Sequence, residues 1–247
     1  MMKLYINHNN DPCFNLALEE LMLERASGEV FMLWRNAPAV IFGYNQDPES
    51  EIDLEYAAAH DIKTVRRITG GGTVYHDLGN VNFTYISQRV AQFGDFLSFS
   101  GDVLGFLRRL GLDAQHLGKN DLGIDGKKIS GSAEHVSGGN ILHHGTLLFD
   151  TDFDVLARVL TPPREKLESK GIKSVRSRVA NISEYLSMSR GEFWDEICRF
   201  FSDLTGGTGD FSEIVSPNEA EALADKKYRT REWNFGLSPR WGAGGNG

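Results

Sequence analysis

Three consecutive glycines interrupt a strand-rich half of the chain, in Val65-Arg66-Arg67-Ile68-Thr69-Gly70-Gly71-Gly72-Thr73-Val74-Tyr75-His76-Asp77-Leu78-Gly79-Asn80. Regular helix and strand disfavour such a run, because each glycine brings backbone freedom that folding must remove. The segment is therefore a loop with an ordered element on either side. Its backbone can take positive φ and present successive N–H groups to an anion, with no side chains to hold a ligand away. Arg66 and Arg67 add bidentate donors suited to phosphate or carboxylate. Neither common nucleotide loop is reproduced: no lysine follows the glycines, and the spacing is not that of the dinucleotide fingerprint. On the glycines alone, a nucleotide cradle and a flexible hairpin with solvated arginines stand equally open. The turn residues at His76-Asp77 and Gly79-Asn80, followed by a strand, favour the cradle.

The surrounding pattern alternates strands and helices. Asp11 and Pro12 predict a helix start, as cap and first helical residue, and Phe14, Leu18 and Leu21 share one face of that helix. Residues 30–43 read as two strands joined by a turn at 36–38, and 53–60 as a short helix. Val81, Phe83 and Tyr85 alternate with Asn82 and Thr84, the period of a half-buried strand. Residues 102–110 are helical in period and stop at Gly111. Residues 127–133 and 143–149 predict two more strands around the turn Ser137-Gly138-Gly139-Asn140. Ser189 with Glu192, and Ser216 with Glu219, predict capping boxes; after the first, Phe193, Ile197, Phe201 and Leu204 form a stripe that ends at Gly206-Gly207. The strand pairs resemble hairpins more than crossovers. The expected fold is one α/β (α+β) domain over residues 1–247, with mixed, largely antiparallel sheets and packed helices.

Composition narrows the function. Of 247 residues 40% are apolar, enough to fill a core, and the net charge of −8 excludes nucleic-acid binding through bulk charge. A phosphate handled here belongs to a small ligand. No apolar run approaches the ~18 residues of a membrane span, and the opening lacks a signal peptide's apolar core, so a cytoplasmic location is expected. Two cysteines, Cys13 and Cys198, are too few for a disulfide framework. Both read as packing residues, although Cys13 at a helix start could also be a reactive thiol.

Two further segments carry chemistry. In Asp125-Gly126-Lys127-Lys128-Ile129-Ser130-Gly131-Ser132-Ala133 a strand would point the two lysines to opposite faces. The small residues after Lys128 leave room beside it for a substrate whose developing charge an ammonium could stabilise, whereas Lys127 reads as solvated. In Lys119-Asn120-Asp121, Asp121 could hold magnesium against substrate phosphates or simply cap a turn. His143 and His144, adjacent on a strand, face opposite ways and cannot share one zinc.

RRITGGGTVYHDLGN, KND, GKKISGSA, HHGTLLF and KGIKSVRSRVANI occur in that order, between an opening DPCFNLALEE and a closing EWNFGLSPRW. Together they resemble the lipoate–protein ligase A family of the biotin/lipoate ligase superfamily, over nearly the whole chain. The resemblance implies a mixed sheet with helices around it and a two-step reaction. Lipoate and ATP give lipoyl-AMP, and the acyl group then passes to one lysine of a lipoyl carrier domain, in a 2-oxoacid dehydrogenase complex or a glycine cleavage carrier protein. It implies that Arg67, Gly72, Thr73, Val74 and Tyr75 hold the ATP or adenylate, and that Lys128 contacts both lipoate and the α-phosphate, with Mg2+ on the leaving pyrophosphate. The acyl tail needs an apolar slot, for which Leu18, Trp34 and Val74 are candidates, with His76 and His144 lining it.

After Trp241 only GAGGNG remains, so the C-terminal accessory domain of longer ligases is expected to be absent. A short form, a separate accessory protein and a truncated chain are all open. Docking of the acidic carrier is expected at 162–178, where Arg164, Lys166, Lys170, Lys173, Arg176 and Arg178 outnumber Glu165 and Glu168. An ATP-independent octanoyl or lipoyl transferase, and a lipoate-binding protein without turnover, are the competing functions.

Overall fold

A computed structural model describes residues 2–160 and 178–236. Strands β1 (Lys3–Ile6), β2 (Val30–Trp34), β3 (Ala39–Phe42), β4 (Lys63–Arg66), β5 (Val74–His76) and β6 (Asn80–Ser87) come from the first half. They are followed by β7 (Gln115–Leu117), β8 (Asp121–Ile124), β9 (Lys127–Ser137), β10 (Asn140–Leu148) and β11 (Thr208–Gly209). They form an eight-stranded mixed sheet in the order β11-β1-β2-β6-β10-β9-β8-β7 and a three-stranded sheet β4-β3-β5. The helices used below are α1 (Pro12–Arg25), α2 (Pro48–Glu51), α3 (Leu54–Ala59), α4 (Phe96–Arg109), α5 (Phe153–Val159), α6 (Arg190–Thr205), α7 (Pro217–Leu223) and α8 (Arg231–Phe235). Among the described residues no helix is long and apolar enough to cross a membrane.

Helix boundaries follow local chemistry. Asp11 accepts from the Cys13 amide at 3.1 Å, with Pro12 in the first turn of α1. Ser189 and Glu192, and Ser216 and Glu219, close reciprocal capping boxes on α6 and α7. Gly206 ends α6 in the left-handed conformation. Helix α4 starts earlier than its period suggests, capped by Asp95, and ends before Gly111 at φ +83. The β9–β10 hairpin forms at Gly138 and Gly139, both at positive φ.

The expected hairpin over 30–43 does not form. Strand β2 pairs with β1 and β6, whereas β3 pairs with β4 and β5. The turn between them carries the chain from one sheet to the other, pinned by the Ala37 amide donating to Asn10 O at 2.8 Å. One face of the large sheet packs on α4 and α6, through Phe31, Phe83 and Tyr85 against Phe99, Phe106 and Phe201. The other face meets α1 and the small sheet, through Met32, Trp34 and Leu142 against Leu18, Ile41 and Val65. Because both faces are covered, β6 is buried along its whole length instead of half-buried. Its polar residues Asn82 and Thr84 lie inside the molecule. Helix α1 is likewise buried nearly all round, not on one face, because α7 and the segment before α8 cover its other side.

Candidate active site

Between the two sheets lies a cavity of about 290 Å³. Its floor is one face of the large sheet. Trp34 stands opposite Asn82, and Asn82 opposite Thr146. Gly145 stands opposite Ser132, so Gly131 is next in line on β9. Its roof is the small sheet and the glycine loop, with Ile41, Arg67 and residues 71–76. Leu156, Leu160 and Val179 add an apolar wall.

The loop is built by its neighbours. Gly71 takes φ +90, and a Cβ at Gly43 would lie 2.1 Å from Gly71 O, so the loop lies directly on the end of β3. Arg67 clamps it: Nε donates to Thr69 Oγ1 at 2.8 Å, Nη2 to Gly70 O and Gly72 O at 2.6 and 2.8 Å, and Nη1 to Ile41 O at 3.1 Å. Burial pulls its pKa down to about 10, which leaves it charged at neutral pH. A guanidinium so engaged acts on a ligand mainly by shaping the loop. Arg66 departs from expectation. It turns to the other side and donates to Tyr44 O, Gln46 O, Trp233 O and Asn234 O. It latches α8 to β4 and offers nothing to a phosphate.

Lys128 reaches over Gly131, where an added Cβ would lie 2.7 Å from Nζ. Its ammonium pairs with Asp121 at 2.9 Å and its side chain is 38% exposed, so it faces the cavity mouth. The main chain of Lys128 is held on both sides, its N–H donating to Arg178 O at 2.8 Å and its C=O accepting from Ala180 at 2.9 Å. Asn120 exchanges hydrogen bonds with Ser132, which sets Asp121 beside Lys128. Among the described residues no group of three or more His, Cys, Asp or Glu side chains could hold a metal unaided. Asp121 as one carboxylate beside substrate phosphates still matches the donor set magnesium takes.

A polar chain closes the cavity floor. Trp34 Nε1 donates to Thr84 Oγ1 at 2.9 Å, and Thr84 donates to Glu19 at 2.6 Å. Glu19 faces His144 Nδ1 at 3.0 Å, and His144 Nε2 lies 2.9 Å from Thr69 Oγ1. The Glu19 carboxylate can only accept, so Nδ1–H donates to it, and in the neutral ring Nε2 then accepts from the Thr69 hydroxyl. The sequence reading missed Glu19. Its signal was that Asn15 and Glu19, at i and i+4, share one side of a helix, a side the structure buries.

Trp34, Gly72, Thr73, Val74, His76, Lys128 and His144 all line the cavity. Tyr75 also lines it, but its ring packs with Val40 and Phe42 beyond the small sheet, so its contribution comes from the main chain. Leu18 is corrected: it is fully buried in the core, and Leu16 takes its place on the wall. Two residues are about 200° of helix apart, so they cannot share a face. His143 points to the opposite face, 3.0 Å from Glu134, as strand alternation requires. Cys13 and Cys198 are both held protonated, burial pushing their thiols up to about 11 and about 12. The basic segment 162–178 lies outside the described residues except for Arg178.

A family model, the lipoyl protein ligase A/B catalytic domain, matches residues 11–202. The chain is 39% identical over 248 residues to lipoate-protein ligase LplJ of Bacillus subtilis (strain 168), covering 96% of this chain and 75% of that protein. A bipartite lipoate protein ligase of Thermoplasma acidophilum, solved in a study of its lipoylation system and E2 lipoyl domain, superposes with a TM-score of 0.82 at 34% identity, covering 95% of this chain and 96% of that one. A lipoate-protein ligase A bound with ATP gives 0.80 at 32% identity, covering 95% and 98%. Agreement in sequence and backbone over so much of the length reflects common descent, and the chain belongs to the lipoate–protein ligase family.

Proposed function

We propose that the protein is an ATP-dependent lipoate–protein ligase that works through lipoyl-AMP. The observation that carries this is the placement of the Lys128 ammonium over Gly131, at one side of a cavity whose roof is the glycine loop. A carboxylate at Lys128 Nζ would have its charge offset there. The loop amides, fixed by Arg67, would hold the triphosphate within reach. A carboxylate oxygen then attacks the α-phosphorus, the α–β phosphoanhydride breaks, and pyrophosphate leaves. Lys128 stabilises charge on both the acid and the α-phosphate during that displacement. Asp121 would hold magnesium, which when bound neutralises the departing pyrophosphate. In the second step the carrier lysine attacks the acyl carbon, an amide forms and AMP leaves. The acceptor would be the lipoyl domain of a 2-oxoacid dehydrogenase complex or a glycine cleavage carrier protein, and the reaction would run in the cytoplasm.

The ATP-independent transferase is the weaker reading, because a thioester route needs a thiolate and both thiols, that of buried Cys13 and that of half-buried Cys198, have raised pKa. Lipoate-dependent exchange of labelled pyrophosphate into ATP tests the proposal. Exchange by the wild type, falling about 100-fold or more in Lys128→Ala with the Tm nearly unchanged, is expected. Transfer to a lipoyl domain without ATP would reject it. Whether a separate accessory protein is a partner, as the bipartite T. acidophilum ligase suggests, is read from exchange by the chain alone and after adding such a protein.

A further inference from the structure

Behind the cavity wall lie two polar residues out of reach of any ligand in the cavity. Thr69 is 0% exposed and Glu19 1%, and neither lines the cavity, yet both bond to side chains that do. With Nδ1–H on Glu19, the His144 ring offers Nε2 to the Thr69 hydroxyl proton at 2.9 Å. The hydroxyl lone pairs are thereby left facing Arg67 Nε–H at 2.8 Å. Every proton in the run points from Arg67 toward Glu19.

The bond at Nε matters because a guanidinium is planar. Its three nitrogens share one plane, so the direction of Nε–H decides where Nη2 points, and Nη2 holds Gly70 O and Gly72 O at 2.6 and 2.8 Å. The two ends of the run also carry opposite charges. Arg67 is 5% exposed, and its hydrogen-bond partners among the described residues, Thr69 and the carbonyls of Ile41, Gly70 and Gly72, are all neutral. Glu19 is the carboxylate whose field favours the charged guanidinium against its burial. Buried charges need such compensation, and here it passes through a hydroxyl and an imidazole whose bonds polarise one another.

We infer that Thr69 and Glu19 are positioning residues for ATP, acting through the Arg67 clamp on the glycine loop. Glu19 fixes the His144 ring, the ring takes the Thr69 proton, and the hydroxyl oxygen then holds the guanidinium plane that shapes residues 70–72. The inference rests on the ligase reading and adds to it two residues that never meet the nucleotide. Without the Thr69 hydroxyl, Arg67 Nε–H and His144 Nε2 lose their shared partner inside the protein, and the guanidinium plane is free to turn away from the loop carbonyls.

The test measures ATP and lipoate affinities separately, by calorimetry on the full chain. Thr69→Val keeps the side-chain shape and removes the hydroxyl; it is expected to weaken ATP about three- to tenfold while lipoate affinity stays near that of the wild type. Thr69→Ser, which keeps the hydroxyl, should restore most of the ATP affinity. In a Glu19→Gln background the Thr69→Val step should cost ATP binding clearly less, and any direct effect of the Glu19 charge on the nucleotide cancels in that cycle. Imidazole nitrogen NMR of the wild type should show the His144 proton on Nδ1. Unchanged ATP affinity in Thr69→Val, strict additivity with Glu19→Gln, or a His144 proton on Nε2 would each overturn the inference and leave the ligase reading standing. So would equal losses for ATP and lipoate, the mark of a purely structural role. Failure of the wild type to bind ATP, with or without lipoate, would overturn both.

Discussion

Arg66 and Arg67 are chain neighbours with opposite work. Strand alternation sends Arg66 to the α8 side, where it satisfies four carbonyls, and Arg67 to the glycine loop. Lysine cannot reproduce the planar fork that spans Thr69, Ile41, Gly70 and Gly72. Arg67→Lys is therefore expected to raise the KM for ATP about tenfold or more while lipoate binding changes little; an unchanged KM in exchange kinetics would show that the loop holds its shape without the clamp. Lys128 was legible because four small residues follow it and leave its ammonium the open space. Leu18 was misplaced because an apolar stripe says which side of a helix is buried, but not which of its residues meet an empty space. Glu19 escaped because it stands beside Glu20, and nothing local tells which of two adjacent carboxylates is buried, here Glu19 alone.

At the scale of elements, the glycine loop depends on β3 as much as on its own glycines. Gly43→Ala would drive a Cβ into Gly71 O, and main chain cannot yield as a flexible side chain can. The expected result is a loss of ATP affinity of about tenfold or more, with far-UV circular dichroism retained. ATP binding at wild-type strength would refute the contact. The capping box of α6 is separable from the site: Ser189→Ala should cost about 1 kcal/mol in urea unfolding and leave exchange kinetics alone. Both capping boxes and the β9–β10 turn were readable because their chemistry is local, decided within four residues. The pairing of β2 and β3 was not. Whether a short turn folds a strand back or passes it to a second sheet depends on what covers the partner strands, here α1 and β6, and no local pattern encodes that.

Across the whole molecule, burial of imidazoles makes stability depend on pH. His76 is pulled down to about 3 and His143 is also lowered by burial, despite Glu134 beside it. The unfolded chain takes up these protons near pH 6.5 and the folded chain does not, so stability falls as pH drops below that value. For His76 the slope approaches about 1.4 kcal/mol per pH unit. Urea midpoints measured from pH 7 to pH 4.5 should decline, and His76→Gln should flatten the decline; parallel curves would contradict the burial. The two-layer arrangement that creates this burial was only half legible. Strand and helix types followed from period and caps, whereas the glycines alone left a cradle and a flexible hairpin equally open and the ligands were implied by the family resemblance. The covering of β6 on both faces was not legible, since Asn82 and Thr84 look like solvent-facing residues until their partners are known.

The central claim is that one cavity between the sheets holds the acyl adenylate. A crystal structure with a non-hydrolysable lipoyl-adenylate analogue tests it most directly. The account predicts the acyl-phosphate junction at Lys128 Nζ and the nucleotide under residues 71–75. Ligand instead occupying the second cavity, about 450 Å³ beside Glu20, Lys227 and Trp233, with the space over Gly131 left to solvent, would contradict it.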